Sequence, residues 1–126
     1  MNVEFNNLPW HDAELLSIEI DRSSPGKNDS ISLLIKWPDK IQSEIIFTDC
    51  YGFNAKMNFG FICDETILKA SMINDQEKLY RVKQDWKTMG VDLKELKYFE
   101  IETNTTASLL AIYALDFRIK PEPDIN

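Results

Sequence analysis

The sequence predicts an α+β fold that is mainly antiparallel β: a curled meander sheet of about six to seven strands with one amphipathic helix over about residues 75–89. Three observations predict it. Apolar and polar residues alternate through most of the chain, one stretch switches to helical spacing between recognisable caps, and the composition supplies a core. The chain has 126 residues and is 44% hydrophobic, 11% aromatic and 28% charged. Those figures fit a single domain over residues 1–126 that buries roughly two-thirds of its extended surface. Disorder, a collagen-like repeat and a disulfide-stapled miniature are disfavoured on the same grounds.

Leu16, Ile18 and Ile20 alternate with Ser17, Glu19 and Asp21, the period-two pattern of a half-buried strand. A loop follows over residues 21–29, punctuated by Pro25-Gly26. Ile31, Leu33, Ile35 and Trp37 form the second alternating set, stopped by Pro38-Asp39, and Ile45 with Phe47 form the third. A break is expected at Cys50-Tyr51-Gly52-Phe53-Asn54, then a fourth strand carrying Met57, Phe59 and Phe61, and a fifth from Thr66 to Ile73. Leu79, Val82, Trp86 and Met89 recur at spacings of three and four, which lines one stripe of a helix. Asn74 is placed to cap it, Glu77 completes a capping box, and Gly90 stands where a left-handed terminator belongs. A short helical turn is expected over residues 92–97, and a strand through Phe99, Ile101 and Thr103. The last strand runs from about Leu109 to Ile119. Its odd positions are apolar throughout, whereas its even positions begin with Leu110 and Ile112 and end with Asp116 and Arg118. The tail from Lys120 to Asp124 is expected to leave the sheet, because its prolines cannot continue a ladder.

Charge narrows the function. Fourteen Lys and Arg against 21 Asp and Glu give a net charge of −7, and no basic cluster offers a footprint for nucleic acid. The aromatic set Tyr51, Phe53, Phe59 and Phe61 is therefore read as core and not as a base-stacking platform. The N-terminal residues show neither a basic nor an apolar region of a secretory signal, and the longest uncharged stretch, Thr103 to Leu115, is 13 residues. No membrane segment is expected, and the cytoplasm is the expected location. Cys50 and Cys63 lack a CxxC spacing and read as two reduced, packed thiols.

No residue pattern assembles a reactive centre, so no catalytic residue, no metal site and no cofactor is expected. His11 is the only histidine, and zinc needs three or four ligands at short spacings. Beside Asp12 it reads as a residue bonding backbone groups where the first strand begins, with Trp10 filling the edge of the core. Catalysis through His11 would require a nucleophile within hydrogen-bond reach in an open cleft. Cys50 has acidic neighbours, which oppose a reactive thiolate. Glu19 with Asp21, and Glu100 with Glu102, each share one face of a strand, and on a solvated face they stay ionised and available to a partner.

The opening Trp10-His11-Asp12-Ala13-Glu14-Leu15-Leu16-Ser17-Ile18-Glu19-Ile20-Asp21, the Gly52-Phe53-Asn54 turn and a closing strand ending Asp116-Phe117-Arg118-Ile119 carry a resemblance. In the order of its elements nearly the whole chain resembles the small bacterial immunity proteins of polymorphic toxin systems, most closely the family catalogued as immunity protein fifty. It departs from that pattern in lacking a longer Gly/Asn-rich run after Asn54, and in its Asn104-Thr105-Thr106 segment. The resemblance implies a cytoplasmic protein that binds a cognate toxin domain and neutralises it without catalysis, with Trp10, His11, Asp12, Gly52, Phe53 and Asn54 as structural motif residues. A basic nuclease would be steered to an acidic partner. Charge does not choose the face, since residues 1–62 hold five cations against nine anions and residues 63–126 nine against twelve. The polar face bearing Glu19, Asp21, Glu100 and Glu102 is the expected contact. The alternative is a small-molecule or peptide-binding β-rich module, suggested by Trp10, Trp37, Tyr51, Phe53, Phe59 and Phe61 on a curled sheet.

Overall fold

The computed structural model describes residues 4–121. A 3-10 turn at Phe5–Asn7 precedes β1 (Glu14–Asp21), β2 (Ser30–Lys36), β3 (Gln42–Lys56), β4 (Ile67–Ile73), α1 (Gln76–Lys87), β5 (Lys97–Thr103) and β6 (Leu109–Pro121). All pairings are antiparallel and form one six-stranded sheet in the order β1-β2-β3-β6-β5-β4. The fold is α+β and mainly antiparallel β. Each half is a three-strand meander, but the chain crosses to the far edge after β3, so that β6 returns to the centre between β3 and β5. The near-continuous apolar run that opens β6 suits this central place.

The sheet curls until its two edges meet. Ile67 N donates to Ala13 O at 2.7 Å, Leu15 N to Glu65 O at 2.8 Å and Asp12 N to Ile67 O at 3.1 Å, around a bridge between Glu14 and Thr66. Closure at this corner removes part of the unpaired edge that an open sheet would present. Inside the curl lies the main core, with Leu33, Ile35, Ile45, Phe47, Phe99, Ile101, Leu110 and Ile112 fully buried. Phe5, which the alternation did not single out, sits at its centre, with ring centroids 4.8 Å from Trp10, 5.1 Å from Phe99 and 5.2 Å from Phe117.

A second, smaller core lies on the outer face under α1. Leu79, Val82 and Trp86 pack on Tyr98, Tyr113, Leu93 and Leu96. The helix begins one residue later than the capping box suggests: Asp75, not Asn74, accepts from Lys78 N at 3.1 Å. Met89 lies beyond the helix end and is exposed, while Gly90 takes the left-handed φ of 82° that ends it. The expected helical turn over residues 92–97 is a tight turn, with Leu96 N donating to Leu93 O, and Lys97 already belongs to β5.

Four expectations are corrected. Residues 50–54 are not a break and Gly52-Phe53-Asn54 is not a turn: β3 runs through them, paired with β6, and absorbs one extra residue between Cys50 and Gly52. Asp49 takes a φ of 52° beside this irregularity, and a bulge of this kind bends a strand without ending its pairing. The strand expected around Met57, Phe59 and Phe61 is irregular chain, and Phe59 and Phe61 lie in solvent instead of core. Finally, the odd positions of β6 do not share one face. Leu110, Ile112 and Ala114 face the main core, as do Phe117 and Ile119, so the strand exchanges faces between Ala114 and Phe117, opposite Asp49. The strand also reaches further than expected, with Lys120 opposite Glu44 and Pro121 opposite Ser43. Glu122, Pro123 and Asp124 lie outside the described residues.

Candidate functional site

Two surface features are built on this frame. The first is the connection from β3 to β4. Its leading foot is Asn58, whose backbone N donates to Ser108 Oγ at 2.9 Å and whose Nδ2 donates to Thr106 O at 2.9 Å. Its trailing foot is Asp64-Glu65. Asp64 O accepts from Thr105 Oγ1 at 2.6 Å, and the Glu65 carboxylate accepts from both the backbone N and the hydroxyl of Thr106. The clasp is the β5–β6 turn, itself closed by Ser108 N donating to Thr103 Oγ1 at 2.8 Å, with Thr103 and Ser108 buried. Threonines and serine suit this work, because short hydroxyl side chains satisfy backbone groups that no ladder reaches.

Between the feet the chain presents Phe59, Phe61 and Ile62 outward, exposed at 80%, 64% and 106%. Gly60 between them has a φ of 101°, which a side chain would strain. At ~200 Å² per large apolar side chain, about 500 Å² of apolar surface stands on one short loop. That is as large as the largest apolar patch on an ordinary monomer, which is often a functional surface, and it is rimmed here by Asp64 and Glu65.

The second feature is a cleft of about 490 Å³ where the bulge of β3 faces the β1–β2 loop and the end of α1. One wall is aromatic: Tyr51 and Trp86 meet edge to face with centroids 5.0 Å apart. The other carries Arg22, Lys27 and Asp29. Asp29 Oδ2 accepts from Gly26 N at 3.2 Å. Its Oδ1 is sealed from water with no hydrogen-bond donor among the described residues, and Arg22 Nε stands 3.7 Å away. Cys50 also lines the cleft. Burial pushes its thiol up to about 11; a bond to the Ile31 backbone opposes this in part, and the nearby charges of Asp29 and Asp49 add to it. It is a packed thiol, donating to Phe47 O.

The residues singled out from sequence fall as follows. Trp10 is buried, its ring 5.1 Å from Trp37 and its Nε1 donating to Phe5 O at 2.8 Å. His11 is exposed at the curled edge; its Nδ1 donates to Leu68 O at 3.2 Å and its Nε2 lies 3.7 Å from Asp12. No nucleophilic side chain is among its hydrogen-bond partners in the described residues. Asp12 turns the chain into β1 with a φ of 69°. Gly52 faces Tyr113, Phe53 packs on the main core opposite Ile112, and Asn54 pairs with Ala111.

The four acidic residues expected to form one contact face are separated into two pairs. The antiparallel bridge from Glu14 to Thr66 sends Glu19 and Asp21 one way, while Lys69 and Ser71, the partners of Glu102 and Glu100, run the other. That places ~25 Å of strand path between Glu19 and Glu102 at about 3.3 Å per residue. Among the described residues, each group but Glu19 also has a local partner. Asp21 accepts from the side chain and backbone of Ser23, which lower its pKa, Glu102 lies 3.5 Å from Lys69, and Glu100 accepts from Tyr98 Oη at 2.6 Å. Lys78 bonds the same tyrosine and is held up in pKa by that bond.

Sequence reasoning missed Ile62, Arg22, Lys27, Asp29 and Trp86 as surface-site residues. For the loop a signal existed: Phe61-Ile62 breaks the period-two alternation directly after Gly60. For the cleft the aromatic supply at Tyr51 and Phe53 was a partial signal, but its charged side was not legible, because the lining comes from three separated segments.

No protein-family model matches the chain, and no curated protein does. Among the described residues, no helix is long and apolar enough to cross a membrane.

Proposed function

We propose that this protein is a cytoplasmic, non-catalytic immunity protein that docks on a cognate toxin domain and neutralises it. One observation carries the reading: the clasped loop holds Phe59, Phe61 and Ile62 out of both cores of the described residues. Exposing rings costs solvation free energy, and a loop tied at both feet loses little entropy when a partner covers it. Large side chains on a preorganised support are what the centre of a protein interface requires. Asp64 and Glu65 beside them and the net charge of −7 favour a partner with a basic rim, such as a nuclease cleft. The contact therefore centres on residues 59–65, in place of the acidic strand faces.

The test is co-expression with the toxin domain encoded beside this chain, followed by affinity capture and growth rescue. The expected result is a stable complex and rescue by the native chain, both lost in the double variant Phe59→Ser, Ile62→Ser. Failure of the native chain to bind or rescue overturns the reading. The cleft at the β3 bulge supports a second reading, a module that binds small molecules, because its volume falls within the range of ligand pockets.

A further inference from the structure

We propose that the cleft at the β3 bulge binds a small zwitterion of the free amino-acid class, with an apolar side chain against the aromatic wall. The inference rests on the small-molecule reading of this cleft and is independent of the docking loop. Its starting point is an imperfect pair. Arg22 Nε stands 3.7 Å from Asp29 Oδ1, outside hydrogen-bond range, and that oxygen is buried without a donor. A buried carboxylate oxygen in this condition gains from any N–H brought to it, and most from a cationic one. Arg22 is 74% exposed, so little packing holds it over the carboxylate.

Ligands of a single charge gain little here. An ammonium alone would take Asp29 and leave Arg22 and Lys27 as unpaired cations on the rim. A carboxylate alone would draw Arg22 away and leave Asp29 worse satisfied. A zwitterion resolves both: once Arg22 swings off Asp29, the ligand's ammonium pairs with the Asp29 carboxylate and its own carboxylate accepts from the released Arg22 and from Lys27. Two cations and two acids, Asp29 and Asp49, make the lining neutral, which also favours a ligand without net charge. The remaining wall of Tyr51 and Trp86 takes an apolar or aromatic side chain.

The experiment titrates the full chain with L-phenylalanine, phenethylamine and 3-phenylpropionate, following the backbone amides of Gly26 and Gly52, which line the cleft. Saturable shifts with phenylalanine are expected, with affinity roughly tenfold weaker or more for each singly charged analogue. Asp29→Asn and Arg22→Gln are each expected to weaken phenylalanine by a similar factor. Arg22 is exposed, so its variant keeps the test valid even where Asp29→Asn disturbs the loop. Phenethylamine or phenylpropionate binding as tightly as phenylalanine overturns the zwitterion while leaving a ligand cleft standing. No saturable shift with any of the three overturns both.

Discussion

Replacing Phe59 and Phe5 by alanine makes the same chemical change at two positions that the structure treats in opposite ways. Phe59 is 80% exposed, so only about one-fifth of a ~200 Å² side chain is in contact with protein. At ~25 cal/mol per Å² the loss is about 1 kcal/mol at most. Phe5 is 2% exposed and touches the rings of Trp10, Phe47, Phe99 and Phe117. Its truncation removes nearly the full area and leaves a cavity among rings that cannot collapse, which costs about 3–5 kcal/mol. Urea unfolding followed by circular dichroism measures both, and the midpoint of Phe5→Ala should fall far below that of Phe59→Ala. Equal losses, or a loss above about 2 kcal/mol at Phe59, would refute the exposed loop and restore the buried strand that alternation alone suggests. A stable Phe59→Ala chain that no longer captures the toxin domain is the outcome the docking reading requires.

The remaining predictions concern the clasp, the bulge and the thiols. Thr106→Val removes the hydroxyl bonds to Glu65 and Ser108 and should cost about 1–2 kcal/mol, with faster hydrogen exchange along residues 58–66. Gly52→Ala would set a Cβ 3.0 Å from Tyr113 Cδ1; moving that ring disturbs the core under α1, and a loss of about 1–3 kcal/mol is expected in thermal unfolding. Cys63 is exposed and should be alkylated by iodoacetamide near pH 8, whereas Cys50 keeps its proton and reacts only on unfolding. Because the folded-state pKa of Cys50 is raised to about 11 from 9.0, the unfolded chain loses that proton first as pH climbs. Its contribution should therefore lower stability progressively between those values, and Cys50→Ala should flatten the decline.

Local rules account for much of what the chain does. The period of two at Ile31-Leu33-Ile35 and at Phe99-Ile101, and the period near 3.6 from Leu79 to Trp86, are set by where successive side chains point. They place strands, helix and most buried residues without knowledge of any partner. Gly90 and the acidic cap at Asp75 follow from backbone groups within a few residues, which is why the helix was legible to within a residue or two.

Partner choice is a different matter, because a strand's alternation is the same whichever neighbour it pairs with. Only the folded chain decides that β6 lies between β3 and β5, that Cys50 to Gly52 bulges instead of turning, and that Glu19 and Glu102 point from distant ends of the sheet. The same holds for Phe59, Phe61 and Ile62. Their hydrophobicity is written in the sequence, but their exposure depends on hydroxyls some 40 to 50 residues away that hold the loop off the core. The cleft joins Arg22, Asp29, Tyr51 and Trp86 from three separate segments. Short-range sterics determine secondary structure; long-range pairing determines which surfaces are left for other molecules.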